Sequence, residues 1–287
     1  MKALRMAAVV ATVATLSGCI SFLTEIRVAP DGSGTLVQTL SMNPQAFKGA
    51  MQELAKGMGG SAGDVKETTE SDKPGEKGAK AQKSPFSADQ LAEKAKDLGE
   101  GVTFVSAEPL ETPTAQGVRV TYRFRDIGQL FVNAKPGAAL GAEGAGKSAP
   151  GAIRFRFERK AGSSILTIVL PPPKKTDAPP PERPAPDLTD EQLAMVKQMF
   201  KGMHLAVALA FDGRIVKTNS AYHTDNRVTV MDLDFDPLLE KPETLKALNS
   251  RFTAATGDDR AMAAALSTLP GIKVDVQPEI RVEFAPR

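Results

Sequence analysis

The sequence predicts an α+β protein built mainly from an antiparallel sheet made of hairpins, with helices packed on one face. Segments that alternate apolar and polar residues follow one another in pairs across short turns, as β-hairpins do. Segments with helical periodicity stand between these pairs and carry capping residues at their ends. Because short hairpins outnumber long crossovers, we expect mostly antiparallel pairing.

The first pair of strands is expected at residues 20–29 and 34–42, with Pro30-Asp31-Gly32-Ser33-Gly34 as the turn. The same turn is similar to the start of an EF-hand loop. That loop needs oxygen ligands over twelve residues ending in Glu, with a helix on each side. Here the far end holds Leu40 or Met42 and strands flank the turn, so the pattern favours a hairpin.

Two helices are expected after this hairpin. The first begins at the N-cap Asn43 and stops at Gly57. The second begins with a capping box of Ser87 and Gln90 and ends at Gly99.

Two further hairpins are expected in the middle of the chain, at residues 102–110 with 117–127 and at residues 152–160 with 163–171. The strand at 117–127 alternates strictly, with apolar residues at every second position from Val118 to Phe124. This period of two predicts a half-buried antiparallel strand.

The last third of the chain mixes both kinds of element. A helix is expected from the capping box of Thr189 and Gln192 to Gly202, followed by a hairpin whose two-residue turn is Asp212-Gly213. The remaining expectations are a strand at 227–237, helices at 242–252 and 258–267, and extended chain at 271–285 interrupted by Pro278.

Three low-complexity insertions at about 56–83, 135–151 and 171–186 interrupt these elements. The first has no aromatic residue, Leu or Ile, the second is rich in Gly and Ala, and the third is half proline. Such segments bury too little apolar surface to order themselves, so we interpret them as disordered linkers. We expect residues 19–287 to form a single main body, with a subdivision near 171–186 as the alternative.

The first 18 residues have the layout of a secretory signal peptide: two basic residues, Lys2 and Arg5, precede an apolar run too short to span a membrane. The run ends in Leu16-Ser17-Gly18-Cys19, which resembles the lipobox of bacterial lipoproteins. The resemblance implies cleavage before Cys19, a diacylglycerol group on its thiol and an acyl chain on its new amino group. The alternative is a chance match, with Cys19 an ordinary buried thiol.

Composition bears on three further properties: disulfide bonds, nucleic-acid binding and the membrane anchor. Cys19 is the single cysteine, so a disulfide within the chain is impossible. Beyond the leader, 34 basic residues balance 34 acidic ones, which gives no reason to expect a nucleic-acid partner. No later apolar run reaches 18 residues, so we expect the lipid on Cys19 to be the whole membrane anchor.

The order of elements resembles the LppM-like group of bacterial envelope lipoproteins. The residues that carry the resemblance are the Cys, the turn at 31–34 directly after it, residues 99–105 and residues 122–127, within a span of 19–239. The resemblance implies a membrane-anchored α/β body on the cell envelope and transfers no catalytic motif. Members of the group can have a C-terminal membrane helix, which this sequence lacks.

The strongest candidate for a metal site is the carboxylate cluster of Asp232, Asp234 and Asp236. Alternation along a strand would place all three on one face, where oxygen ligands could hold Ca²⁺ or Mg²⁺. Carboxylates in line on a flat strand do not converge on one point, however, and simple in/out alternation explains the pattern. We therefore expect no metal site, with these three residues as the candidates if one exists.

Nucleophilic catalysis would need a base, and the sequence has only His204 and His223. His204 opens an alternating strand and shares a face with Ala206 and Ala208. His223 lies in a polar loop two residues before Asp225, so a hydrolase using this pair is an open alternative.

Arginines occupy the polar positions of two predicted strands: Arg119, Arg123 and Arg125 on one, Arg154 and Arg156 on the other. If the two strands were adjacent in one sheet, these residues would form a basic patch suited to anionic headgroups or acidic envelope polymers. A solvated sheet face balanced by nearby Glu and Asp is the alternative.

From the sequence we expect a non-enzymatic envelope lipoprotein that acts in binding, interaction or assembly, with no cofactor beyond the acyl groups on Cys19. Its expected partners are the membrane and either an envelope protein or an anionic lipid. Ile20 stands where enterobacterial inner-membrane lipoproteins carry a retaining Asp, which favours the outer membrane, facing the periplasm. The alternative function is an exported hydrolase or metal-dependent enzyme using His223 or the three aspartates.

Overall fold

The computed structural model describes residues 20–43, 88–112, 115–133, 151–172, 189–241, 243–248 and 259–286. The predicted signal peptide, Cys19, the expected helix after Asn43 and most of the three low-complexity insertions lie outside these residues. Strands dominate the described chain, helices are few, and the predicted α+β class is confirmed.

The larger sheet has seven strands in the order β11-β10-β8-β1-β2-β4-β3. Neighbouring strands are antiparallel except β1 and β8, which run parallel. Its strands are β1 (Ile20–Val28), β2 (Gly34–Met42), β3 (Thr103–Thr112), β4 (Ala115–Phe124), β8 (His204–Phe211), β10 (Arg227–Asp234) and β11 (Ile272–Val274).

The smaller sheet has five strands in the order β5-β6-β7-β12-β9, all antiparallel. They are β5 (Val132–Asn133), β6 (Ala152–Arg159), β7 (Ser164–Val169), β9 (Arg214–Thr218) and β12 (Glu279–Ala285). Strands from before and after the Pro-rich segment therefore pair with one another in both sheets.

Four helices are described in full: α1 (Ala88–Leu98), α2 (Asp190–Phe200), α3 (Asp236–Leu239) and α4 (Asp259–Leu266). Residues 243–248 are also helical, and a short 3₁₀ turn covers Ile127–Gln129. The predicted capping box of α2 is confirmed, because the Thr189 hydroxyl accepts from the Gln192 amide while the Gln192 side chain accepts from the Thr189 amide.

The core lies on one side of the seven-stranded sheet, which we call its inner face. The alternating residues Val118, Val120, Tyr122 and Phe124 of β4 point there, as predicted, and pack in one cluster with buried residues of the five-stranded sheet. Leu91 and Ala95 of α1 join this cluster. Around β11, a second apolar cluster joins the sheet to helices α2 and α3 and residues 243–248.

The opposite, outer face of the seven-stranded sheet has a different character. Apolar Leu23 and Val37 lie on it at register positions between the core residues of β1 and β2, and they belong to neither apolar cluster. Among the described residues, the outer face otherwise presents mostly Ala, hydroxyl and charged side chains. The charged groups discussed below lie on this face.

The predicted hairpin across Asp212-Gly213 is wrong. β8 is enclosed by β1 on one side and β10 on the other, so both of its edges are occupied, and β9 pairs instead with β12 in the other sheet. The Gly213 backbone is not in the left-handed region that a type I′ hairpin turn requires. Asp212-Gly213 therefore carries the chain from one sheet to the other.

Candidate functional site

The predicted lipidation residue Cys19 lies outside the described residues, but its covalent neighbour Ile20 is the first residue of β1. β1 pairs along its whole length with β2 and from Ser21 onward with β8, so it is an interior strand of the larger sheet. In the part of the chain that the structure describes, no helix is long and apolar enough to cross a membrane.

The three candidate aspartates do not share one strand face. Asp232 and Asp234 lie on the outer face of β10, opposite Ala206 and His204 of β8. β10 ends at Asp234, and Asp236 begins α3 with Pro237 in its first turn. The expectation that alternation would align all three is therefore wrong for Asp236, because the chain changes from strand to helix between them.

Each of these carboxylates has its own protein partner. Asp232 Oδ1 accepts from His204 Nε2 at 2.8 Å, and its Oδ2 lies 3.7 Å from Lys273 Nζ. Asp234 Oδ1 accepts from the Asp236 amide at 3.1 Å, and Asp236 Oδ1 accepts from the Gly202 amide. Among the described residues, no group of three or more His, Cys, Asp or Glu side chains could hold a metal ion.

Polar and charged side chains on the outer face form two groups of contacts that the sequence did not suggest. His204, Asp232 and Lys273 connect β8, β10 and β11, and Arg227 of β10 forms an ion pair with Glu25 of β1. The Arg227–Glu25 pair runs across β8, whose outer face carries the small residues Ala206, Ala208 and Ala210. The alternating alanines are the feature of the sequence that could have indicated this contact. Small side chains leave room above β8 for long side chains from the neighbouring strands.

His223 is held by a backbone carbonyl and not by Asp225. Its Nδ1 lies 2.9 Å from the Ser220 carbonyl oxygen, which can only accept, so Nδ1 carries a proton. In the neutral ring Nε2 is then the acceptor. His223 and Asp225 both line a cavity of about 320 Å³ beside strand β9, together with Lys217 and Thr218.

The buried carboxylate of Asp275 holds the loop that carries His223, and the sequence patterns did not suggest this role. Asp275 is 3% exposed and follows β11 directly. Its Oδ2 accepts from the Ser220 hydroxyl at 2.9 Å and from the Ala221 amide at 3.1 Å. Because the Ser220 hydroxyl is bound to Asp275 and the His223 ring contacts the Ser220 carbonyl oxygen, these three residues form a structural clamp around Ser220.

The predicted basic residues do not meet in one patch. Arg119 and Arg123 lie on the outer face of β4 in the larger sheet, whereas Arg154 and Arg156 lie on β6 of the smaller sheet, on the side away from the shared core. Arg154 stacks over the Phe131 ring at 5.8 Å, and Arg156 pairs with Glu279 at 2.8 Å. Arg125 follows the end of β4. The two groups of arginines therefore point in opposite directions.

The turn between β1 and β2 connects the two sheets. The carbonyl oxygens of Pro30, Asp31 and Gly32 accept from the Ser164 hydroxyl, the Arg159 guanidinium and the Ile127 amide, respectively. Hydrogen bonds from the Ser33 hydroxyl and amide lower the pKa of the Asp31 carboxyl below its ordinary value. The hairpin interpretation of this turn is confirmed, and its exposed backbone oxygens are used to join β6 and β7 to the larger sheet.

Comparison with known proteins gives one structural likeness. No family model matches the chain, and no curated protein matches it. The NMR structure of the folded domain of Mycobacterium tuberculosis LppM is similar over 96% of this chain and 94% of that domain, with 10% sequence identity and a TM-score of 0.32.

Proposed function

We propose that this protein is an exported bacterial lipoprotein whose residue Cys19 carries a diacylglycerol group and an N-acyl chain after removal of residues 1–18. The observation that carries the proposal is the position of the lipobox sequence Leu16-Ser17-Gly18-Cys19 directly before β1. Cleavage before Cys19 leaves strand β1 whole, because its first residue is Ile20. Lipid is then attached one residue before β1.

We further propose that the body is a non-enzymatic module for binding, interaction or assembly. This proposal is supported by the aspartates that the sequence suggested for metal binding or catalysis, because they make structural contacts. Asp234 and Asp236 accept from backbone amides, and Asp232 is engaged by His204 and Lys273. A partner would be an envelope protein or an anionic lipid, and Ile20 after the Cys favours the outer membrane, facing the periplasm.

Metabolic labelling with palmitate tests the lipid anchor. The wild-type protein is expected to incorporate label and to fractionate with membranes, whereas Cys19→Ala is expected to do neither. Since Cys19 is the single cysteine, no second thiol can take its place. Equal incorporation in both proteins would overturn the proposal.

The second candidate function is an exported hydrolase, favoured by the cavity that His223 lines. With Nδ1 donating to Ser220, the ring would present Nε2 as a proton acceptor, which is the role of a general base. A panel of ester and amide substrates, with a broad serine-hydrolase probe, tests this function. If the protein is such a hydrolase, His223→Ala should abolish turnover. The control is His204→Ala, a change of the other histidine on a different surface, which should leave turnover intact.

A further inference from the structure

The register of the larger sheet defines which end of the body adjoins Cys19. Ile20 pairs with Met42, Met42 with Gln116, and Ser21 with His204. We call the end of the sheet formed by these residues, with Glu111 of β3 and Asp234 of β10, the anchor-side edge. It contains the strand ends that share the level of Ile20.

The opposite end, which we call the far tip, consists of three turns. The turn at 29–33 follows β1, Asp212-Gly213 lies beside it through the hydrogen bond from the Asp212 amide to the Val28 carbonyl, and the turn at 160–163 is joined to it by Ser164. Nine residues of β1 separate the two ends. At about 3.3 Å per residue, the far tip is about 30 Å from the anchor-side edge.

The connection between the edge and the lipid is one peptide bond. Consecutive Cα atoms lie about 3.8 Å apart, so an acylated Cys19 brings Ile20 to the membrane surface. β1 cannot supply slack, because from Ser21 to Val28 it is paired on both sides and its core residues Ile26 and Val28 are fully buried. Peeling it from the sheet would open the core.

The chemistry of the anchor-side edge indicates what kind of surface it fits. Ile20 and Met42 are partly exposed apolar residues beside the attachment point. Strand register places the acidic residues Glu111 and Asp234 at this edge, and Asp236 begins the helix that follows β10. Carboxylates are repelled by an anionic bilayer, so we expect contact to depend on the lipid and on apolar side chains.

We propose that the anchor-side edge rests on the lipid surface and that the far tip projects away from it, as the part of the body a partner meets first. This inference rests on the proposed lipidation of Cys19. On the acylated protein, the strands of the larger sheet then run away from the membrane instead of lying along it.

Fluorescent labelling of the acylated full chain on phosphatidylcholine vesicles containing phosphatidylglycerol tests this orientation. Acylation occupies the single native thiol, so a thiol introduced by Gln116→Cys at the edge or by Lys160→Cys at the tip is labelled uniquely. Both positions are exposed, which makes them a matched pair. A quencher carried by the lipid headgroups is expected to quench the Gln116→Cys label several-fold more than the Lys160→Cys label.

The outcomes separate the two proposals. If the labelled proteins float with the vesicles but both labels are quenched equally, or the tip label more, the orientation is overturned while lipidation stands. If the wild-type chain neither takes up palmitate nor floats, the proposed function is overturned and the orientation falls with it. Flotation of Cys19→Ala with the same vesicles would contradict the inference that the lipid and not the charge of the edge makes the contact.

Discussion

Arg227 on β10 and Glu25 on β1 form an ion pair although strand β8 lies between them. The pair passes over Ala208, which is opposite Glu25 in the register and only 2% exposed. Small side chains on the middle strand are what allow two long side chains from its neighbours to meet.

Replacement of Ala208 is expected to cost more than loss of the ion pair itself. Both charged side chains are about two-fifths exposed, at 43% and 41%, so their coupling in a double-mutant cycle should be about 0.2–1 kcal/mol. Ala208→Leu should lower the free energy of unfolding by about 1–3 kcal/mol, because the larger side chain displaces both partners. Urea denaturation of the four proteins of the cycle and of Ala208→Leu measures this, and an Ala208→Leu protein as stable as wild type would refute it.

Asp275→Ala is expected to destabilise the protein and to loosen the loop at 219–226. Removal of a buried acceptor leaves the Ser220 hydroxyl and the Ala221 amide unsatisfied, at a cost of about 1–3 kcal/mol. Faster amide hydrogen exchange at Ala221 and lower stability in urea are the measurements. The control is Asp225→Ala, an exposed residue of the same loop, which should change stability by no more than about 0.5 kcal/mol. Equal effects of the two changes would contradict the clamp.

Stability is expected to fall between pH 10 and 12 because of Tyr122. Burial of this 1% exposed residue raises the pKa of its phenol from an ordinary value of 10.0 to about 12. The unfolded chain releases the phenolic proton first, so the stabilisation is complete below pH 10.0 and is lost as the pH rises towards 12. The slope is at most about 1.4 kcal/mol per pH unit.

Variants isolate this contribution to alkaline unfolding. Tyr122→Phe should lose stability less steeply with rising pH than wild type, whereas Tyr222→Phe, a change of the other tyrosine, should follow the wild-type curve. Free energies of unfolding measured at closely spaced pH values give the comparison. A Tyr122→Phe curve parallel to wild type would show that this phenol is not responsible.

Gly34→Ala is expected to be strongly destabilising although Gly34 lies in a regular strand. An added Cβ would collide with the Arg27 carbonyl oxygen and would lie 2.7 Å from the Phe124 ring, so backbone would have to move, at about 3 kcal/mol or more. Gly162→Ala is the comparison: it has a left-handed backbone, but nothing lies within 4 Å of the new atom. It should cost only about 1–2 kcal/mol. Urea midpoints rank the two, and a less stable Gly162→Ala would contradict the close packing at Gly34.

Most elements and their buried faces follow from local patterns of residues. The alternation from Val118 to Phe124 identified a strand and its core side, and the capping box at Thr189 identified the start of a helix. These are local properties, since the period of apolar residues and the chemistry of a cap depend on residues close together in the chain. For the same reason, the hairpins at β1–β2, β3–β4 and β6–β7 were predictable.

Which distant strands become neighbours depends on how the whole chain packs. β8 pairs with β1, more than 170 residues earlier, and this contact prevents the hairpin that Asp212-Gly213 suggested. The pairing of distant strands also brings Glu25 close to Arg227 and places Arg119 and Arg154 in different sheets. The Asp275 carboxylate likewise meets the Ser220 hydroxyl from a distant part of the chain. Alternation shows that a strand has a buried face but carries no information on its partner, because pairing depends on how all the apolar faces are covered together.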